Sequence, residues 1–366
     1  MEINQLETAQ DVSIMEEIAK FNHEQVVFCN DNHTGLKAII AIHNTVLGPG
    51  LGGTRMWQYA SDKEALTDAL RLSRGMTYKA AVTGLNIGGG KAVIMGDARK
   101  DKTEAFLRRF GKFIESLNGK YVTAEDVNMT TRDMEYIAME TNHVTGLSKS
   151  LGGSGDPSPV TAYGTYVGIK AMCKKVYGSE DLSNRKVAVQ GVGQVGMYLT
   201  EYLRKENATV YITDINEEKV KKVVESTGAK PVGMDAIYDL DTDVYAPCAL
   251  GATINDLTIP RLKCKIIAGA ANNQLKDEIK HGYDLMDREI VYAPDFVINA
   301  GGLINVYLDH LKEYNAERAH HMAEKIYDNC LNVVENAEKQ GISPQEAAML
   351  LGDKRIEEVG RLKVSF

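Results

Sequence analysis

Short apolar runs separated by polar turns, alternating with stretches of helical spacing, set the outline of the chain. Glu24–Cys29 and Leu36–His43 read as strands joined by the polar turn Asn30–Gly35, a hairpin. Ser61-Asp-Lys-Glu64 is a capping box that opens a helix to about Met76. The apolar run Ala92–Met95, the helical period of Lys102–Leu117 and the run Lys120–Ala124 continue the alternation, which predicts an α/β layer with a mainly parallel sheet. Lys149–Pro159, rich in glycine, serine and proline, interrupts it, and Pro159 starts a helix that closes at Gly178. Strands are expected again near Lys186, Ala208, Val244, Ile266 and Ile290. The end of the chain reads as helical, with a second capping box at Ser343–Glu346.

One of these strands carries a motif. Arg185–Gln190 runs into Gly191-Val192-Gly193-Gln194-Val195-Gly196, and Met197–Arg204 has helical spacing. Ala208–Thr213 is a second strand ending at Asp214, twenty-three positions beyond Gly191. A lone G-x-G-x-x-G says little; between strand and helix, with that acid following, it predicts a dinucleotide site. The glycines let the helix N-terminus meet a pyrophosphate, and the carboxylate accepts hydrogen bonds from ribose hydroxyls. Asp214 would repel a 2′-phosphate, and Ile215, Asn216, Glu217 and Glu218 offer no arginine, so NAD is expected rather than NADP. An aspartate at a strand end is also a common turn former, a role compatible with the first. The expected fold is therefore α/β in two domains. An N-terminal substrate-binding and catalytic domain spans 1–150 and a Rossmann-type doubly wound dinucleotide domain spans 151–330, with C-terminal helices from about 331 to 366 packing back on the first.

The stretch Met76–Lys91, MTYKAAVTGLNIGGGK, sets Lys79 and Lys91 twelve positions apart and runs three glycines into the second. Gly88, Gly89 and Gly90 remove side-chain bulk, so a substrate is expected to approach the backbone there. A lysine held against Leu85, Ile87 and Val93, with a second cation nearby, gives up its proton more readily and can serve as a base near neutral pH. A glycine turn followed by a surface lysine is the plainer alternative. A Walker A loop is excluded, because Leu85 stands where its first glycine would be and Ala92 where a hydroxyl is needed.

Composition narrows the function classes. A length of 366 residues suits two domains, and 44% hydrophobic with 25% charged residues describes an ordinary globular protein. A net charge of −8 without a basic cluster argues against a nucleic-acid partner. No apolar run approaches the roughly 18 residues needed to cross a bilayer, and the opening MEINQLETAQD does not read as a secretory signal. Five scattered cysteines without a C-x-x-C pair fit reduced thiols in the cytoplasm, with no disulfide or zinc site expected.

Taken in order, the segments LGPGLGGTR (Leu47–Arg55), MTYKAAVTGLNIGGGK, TAEDVN (Thr123–Asn128), GVGQVG, APCALGATIN (Ala246–Asn255), AGAANNQL (Ala268–Leu275) and PDFVINAGGLIN (Pro294–Asn305) resemble the glutamate, leucine, phenylalanine and valine dehydrogenases, and the leucine branch most. The resemblance implies an NAD-dependent amino-acid dehydrogenase that converts an L-amino acid to its 2-oxo acid and ammonium. Lys91 is then the catalytic lysine that activates water, Lys79 binds the α-carboxylate, and Asp126 holds the amino nitrogen and relays protons. Asp126 follows a predicted strand at the edge where open α/β sheets place ligands, but by spacing alone Glu125 could be confused with it, or Asp126 could cap a helix before Thr130. The resemblance also puts Asn272 at the substrate or nicotinamide ribose and Thr161 near the carboxamide, with Met197 completing the glycine-loop contacts; it implies a homo-oligomer.

By the same likeness Leu51, Gly52, Ala124, Leu303 and Val306 line the side-chain pocket. All are apolar or small, so a second substrate carboxylate would go unpaired and a branched aliphatic substrate is expected. Leu303 stands where the leucine branch usually has valine, and GGLINVY and Asn128 resemble the aromatic branch, which keeps phenylalanine and tryptophan open. Two other classes are weaker. A catalytically silent NAD-binding sensor or structural subunit would not need Lys79, Lys91 and Asp126 together. A 2-hydroxy-acid dehydrogenase usually needs a histidine base, which none of the eight histidines suggests.

Overall fold

The computed structural model describes residues 13–249 and 251–363. The opening segment judged above for a secretory signal, and Leu250 of the APCALGATIN motif, lie outside the described residues. The chain falls into two compact units, 1–77 with 88–143, and 78–87 with 144–366.

The first unit contains α1 (Ile14–Lys20), β1 (Gln25–Asp31), β2 (Leu36–Asn44), β3 (Gly50–Leu51), β4 (Thr54–Trp57), most of α2 (Asp62–Val82), β5 (Gly88–Met95), α3 (Glu104–Glu115), β6 (Tyr121–Val122) and α4 (Thr131–Ala138). The expected hairpin is β1–β2, with Phe28 opposite Ile39. The sheet is mixed: strand order is β1-β2-β5-β3-β6 with β4 also on β5, and the two antiparallel pairings, β1–β2 and β2–β5, are longer than the three parallel ones. Alternate residues Ile39 and Ala41 of β2, with Val93 of β5, bury against Ala65, Leu66, Ala69 and Leu70, one face of α2.

Ser61 Oγ accepts the Glu64 N–H at 3.2 Å, as a capping box requires, while Glu64 bonds back to the Ala60 N–H (2.7 Å). The helix does not stop at Met76. Nothing between Met76 and Val82 breaks it, and it ends where Gly84 takes φ +77°, with Gly84 N bonded to Ala81 O and Leu85 N to Ala80 O.

Gly88, Gly89 and Gly90 are strand residues of β5 rather than the turn of the plainer alternative, and their packing admits no side chain. A Cβ on Gly89 would stand 2.1 Å from Thr77 Oγ1 and 2.5 Å from Ser73 O on α2, and one on Gly88 would stand 2.1 Å from Asn44 O. On Gly90 it would meet the Tyr121 ring at 2.7 Å. The absent side chains are where neighbouring backbone and rings already lie.

The second unit contains α5 (Ser158–Tyr177), β7 (Lys186–Gln190), α6 (Gln194–Lys205), β8 (Thr209–Thr213), α7 (Glu217–Thr227), β9 (Lys230–Pro231), β10 (Val244–Pro247), β11 (Ile266–Ile267), α8 (Lys280–Asp287), β12 (Val291–Tyr292), α9 (Asp295–Ile298), α10 (Gly301–His310), α11 (Ala316–Gln340) and α12 (Pro344–Lys363). Its strands are all parallel, in the order β12-β11-β10-β7-β8-β9. Counted from β7 this is 6-5-4-1-2-3, the doubly wound dinucleotide order. β9 has no apolar run and was not expected.

The C-terminal helices cluster with this second unit, which takes in 78–87 of the expected N-terminal block, and it is on that stretch that α12 packs back. α11 lies along α5, where Gly164 leaves room for Ile326. Arg355 of α12 donates to the carbonyls of Ala81 (3.2 Å) and Leu85 (2.8 Å), holding the end of α2.

Candidate active site

Strand register brings the chemistry of the first unit together. β4 pairs with β5 so that Arg55 lies beside Val93, which puts Arg55 and Lys91 on the same face by alternation. Asp126 follows β6, whose chain continues past β4 with Thr54 N bonded to Ala124 O. Lys91 is buried, and its Nζ lies 2.9 Å from Asp126 Oδ2. Arg55 Nε donates to the same oxygen at 2.9 Å. Arg55 Nη1 reaches Asp68 Oδ2 of α2 at 3.0 Å, and Tyr59 OH donates to that oxygen at 2.6 Å. Burial alone would raise the Asp126 carboxyl; the Lys91 ammonium, then the Arg55 guanidinium, with a hydrogen bond from each, outweigh it and hold it down at about 2. At TAEDV, Asp126 lies against the lysine, Glu125 is exposed, and Thr130 caps α4.

Leu51 and Gly52 stand at the end of β3 and Ala124 just past β6, on neighbouring strands. Gly52 O accepts the buried Tyr121 hydroxyl at 2.6 Å.

The remaining expected residues lie in the second unit. Lys79 Nζ is 3.3 Å from Asn272 Oδ1, which also accepts from Asn299 Nδ2 at 2.8 Å. Beside them is Asp295, whose carboxyl is raised by burial; the Gln274 N–H and the Lys79 charge oppose the shift. Leu303 is buried on α10 and Val306 half-buried on the same helix. Thr161 sits in the first turn of α5 beside Gly302 of α10.

The glycine loop joins β7 to α6, with Gly193 as N-cap. Gly191 takes φ +98° and a Cβ there would meet Ala249; Gly196 packs against Gly191 O, while at Gly193 the space is open. Val192, Gln194, Val195 and Met197 complete the turn and first helical residues. Asp214 ends β8, accepting the Val192 N–H (2.8 Å) through Oδ2 and the Asn216 N–H (2.9 Å) through Oδ1. The turn-forming role of Asp214 is the one these bonds show. An open N-cap glycine before a helix, a pinned loop and a carboxylate at the next strand end fit a dinucleotide.

One other group of described residues has ligand-like spacing, Asp256, His281 and Asp284. His281 Nδ1 accepts the Asp277 N–H at 2.9 Å, which puts the ring proton on Nε2, facing Asp256 Oδ2 at 3.5 Å. Lys280 already pairs with both carboxylates, so the donor set does not suit a metal.

Sequence reasoning missed Arg55, Asp68, Tyr59, Asn299 and Asp295. Arg55, Asp295 and Asn299 sit inside quoted motifs; Asp68 and Tyr59 carry no sequence signal of their own.

Profiles of known families match along nearly all of the described chain: the Glu/Leu/Phe/Val dehydrogenase dimerisation domain over residues 23–143, and Glutamate/Leucine/Phenylalanine/Valine dehydrogenase over 152–216 and 211–362. The chain belongs to the Glu/Leu/Phe/Val dehydrogenase family. It is therefore an amino-acid oxidoreductase of a family that works with a nicotinamide cofactor. The leucine dehydrogenase of Bacillus subtilis (strain 168) is 56% identical over 347 residues, 95% of each chain. The phenylalanine dehydrogenase of Caldalkalibacillus thermarum (strain TA2.A1) is 48% identical, covering 94% of each. Among solved structures, L-tryptophan dehydrogenase from Nostoc punctiforme superposes with a TM-score of 0.84 at 44% identity, covering 95% of this chain and 99% of that one.

Proposed function

We propose that this dehydrogenase catalyses the reversible reaction of L-leucine, and of valine and isoleucine, with NAD⁺ and water to give the 2-oxo acid, ammonium, NADH and a proton. The observation that carries it is the pair of buried Lys91 with half-buried Asp126 in a chain 56% identical to a leucine dehydrogenase. NAD⁺, when bound, accepts the hydride from the substrate α-carbon.

Lys91 and Asp126 handle the protons: Lys91 activates the water, and Asp126 holds the substrate nitrogen and relays its proton. Lys79 takes the α-carboxylate as a point charge, and Asn272, already bonded to it, orients substrate or ribose. Gly191–Met197 carry the pyrophosphate, Asp214 the adenosine ribose, and Thr161 the carboxamide. NAD is favoured over NADP because Asp214 and the following Glu217 and Glu218 are acidic. Leu51, Gly52 and Ala124 in the first unit, and Leu303 and Val306 in the second, suit an aliphatic side chain and offer no charge to a second carboxylate.

An aromatic substrate is the second reading, favoured by Leu303 and by the phenylalanine and L-tryptophan dehydrogenases at 48% and 45% identity. We place the enzyme in the cytoplasm as a homo-oligomer, in keeping with five free thiols and the dimerisation-domain profile. Among the described residues no helix is long and apolar enough to cross a membrane.

The test is NADH production with L-leucine, valine, isoleucine, phenylalanine, tryptophan, glutamate and lactate, with Lys91→Ala alongside. Highest kcat/KM for the branched aliphatics supports the proposal; a preference for aromatics moves it to the neighbouring branch.

A further inference from the structure

We infer that Asp68 and Tyr59 are a positioning pair for catalysis: they lock the Arg55 guanidinium, which in turn holds Asp126 in one orientation with its Oδ2 shared between Arg55 and Lys91. The inference rests on the proposed roles of Lys91 and Asp126 and extends them to three residues outside that set.

The geometry is a chain of four contacts. Tyr59 OH donates to Asp68 Oδ2 (2.6 Å), Asp68 Oδ2 accepts Arg55 Nη1 (3.0 Å), Arg55 Nε donates to Asp126 Oδ2 (2.9 Å), and Lys91 Nζ meets that same oxygen at 2.9 Å. Two edges of one planar guanidinium bind two carboxylates, so its plane fixes the angle between them; a lysine, as a point charge, could not. The four residues come from β4, α2, β5 and the segment after β6, and Tyr59 from the β4–α2 connection.

The groups that face Asp126 are Lys91 from β5, Arg55 from β4 with Asp68 behind it, Tyr59, and Tyr121 from β6, with Glu125 adjacent in the chain. Two cations meet two carboxylates. If Arg55 were absent, Lys91 and Asp126 would close into a one-to-one ion pair, and the ammonium would be less free to pass its proton. Sharing Oδ2 with Arg55 loosens the hold on Lys91 while keeping Asp126 charged. Tyr59 bonds to Asp68 and Asp68 to Arg55, so their chain of contacts to the lysine runs through Arg55 and Asp126.

The experiment compares Arg55→Lys, Arg55→Gln, Asp68→Asn and Tyr59→Phe with Lys91→Ala and Asp126→Asn in the full-length enzyme, with active sites counted by NADH binding. Expected are a kcat reduced about 10- to 100-fold in Arg55→Gln, partly restored in Arg55→Lys, and about three- to tenfold in Asp68→Asn and Tyr59→Phe, with KM for NAD within about twofold throughout. Asp68→Asn removes a negative charge, so the acid limb of its kcat/KM profile moves to lower pH by about half a unit. A merely structural role would reduce the count of active sites and leave kcat per site and the profile unmoved. The inference is overturned if the Arg55 and Asp68 variants keep wild-type kcat and profile while Lys91→Ala and Asp126→Asn are dead. If the latter two remain active, the catalytic assignment itself falls, and the inference with it.

Discussion

Val192 and Asp214 are joined by a hydrogen bond of 2.8 Å from the glycine-loop N–H to the carboxylate. The residue proposed to select the cofactor thus also tethers the glycine loop. Asp214→Ser is expected to raise KM for NAD about tenfold without a matching gain for NADP, because the loop loses its tether. Adding Asn216→Arg supplies a phosphate partner and improves NADP use over the single variant; kcat/KM for both dinucleotides decides.

Lys91→Ala and Asp126→Ala are each expected to lower kcat by about 10³-fold or more, with NADH affinity within about twofold of wild type, since the dinucleotide residues are all elsewhere in the chain. Steady-state rates and NADH fluorescence titration check both halves. An alanine variant near wild-type rate would remove that residue from the mechanism.

Asp126 also marks the acid stability of the protein. Its carboxyl is depressed from an ordinary 3.8 to about 2, so its stabilisation is fully present above pH 4 and is lost as pH falls toward 2. The loss amounts to about 2 kcal/mol, and Asp126→Asn should flatten the pH dependence of denaturant unfolding in that window.

His23 and His43 act at a higher pH. Burial is the chief cause that lowers each to about 4, and the rings lie edge to face at 4.8 Å. Between pH 6.5 and 4 the unfolded chain binds protons that the folded one refuses, so stability falls as pH drops through that range. Replacing His23 with glutamine should remove part of this slope, read from unfolding midpoints at pH 7 and 4.5.

Two glycines should respond in opposite directions. Gly89→Ala puts a methyl 2.1 Å from Thr77 Oγ1 and 2.3 Å from Thr77 N, and is expected to cost about 3 kcal/mol or more. Gly75, inside α2, has open space around the new methyl, and Gly75→Ala should stabilise by roughly 0.5–1 kcal/mol. Thermal midpoints of both variants test the contrast.

The parts legible in the sequence are those with local signals. The β1–β2 hairpin, the Gly193 N-cap and Asp214 each follow from residues within one supersecondary unit. Arg55 was illegible for the opposite reason: its partners are Asp68, thirteen positions on, and Asp126, seventy-one positions on, and only the register of β4 on β5 makes them neighbours. β3 spans two residues, too few for alternation to show. That Gly88–Gly90 form a strand did not show because glycine has no strand preference of its own; the close neighbours are Thr77 and Tyr121, which a local reading does not consult.

The shape of that strand depends on its neighbours. Three consecutive glycines give the start of β5 almost no intrinsic drive to become extended, so its shape is imposed by β2 on one side, by β3 and β4 on the other, and by α2 above. Lys91 is the residue that follows. Its position beside Asp126 thus depends on all of those neighbours being in place.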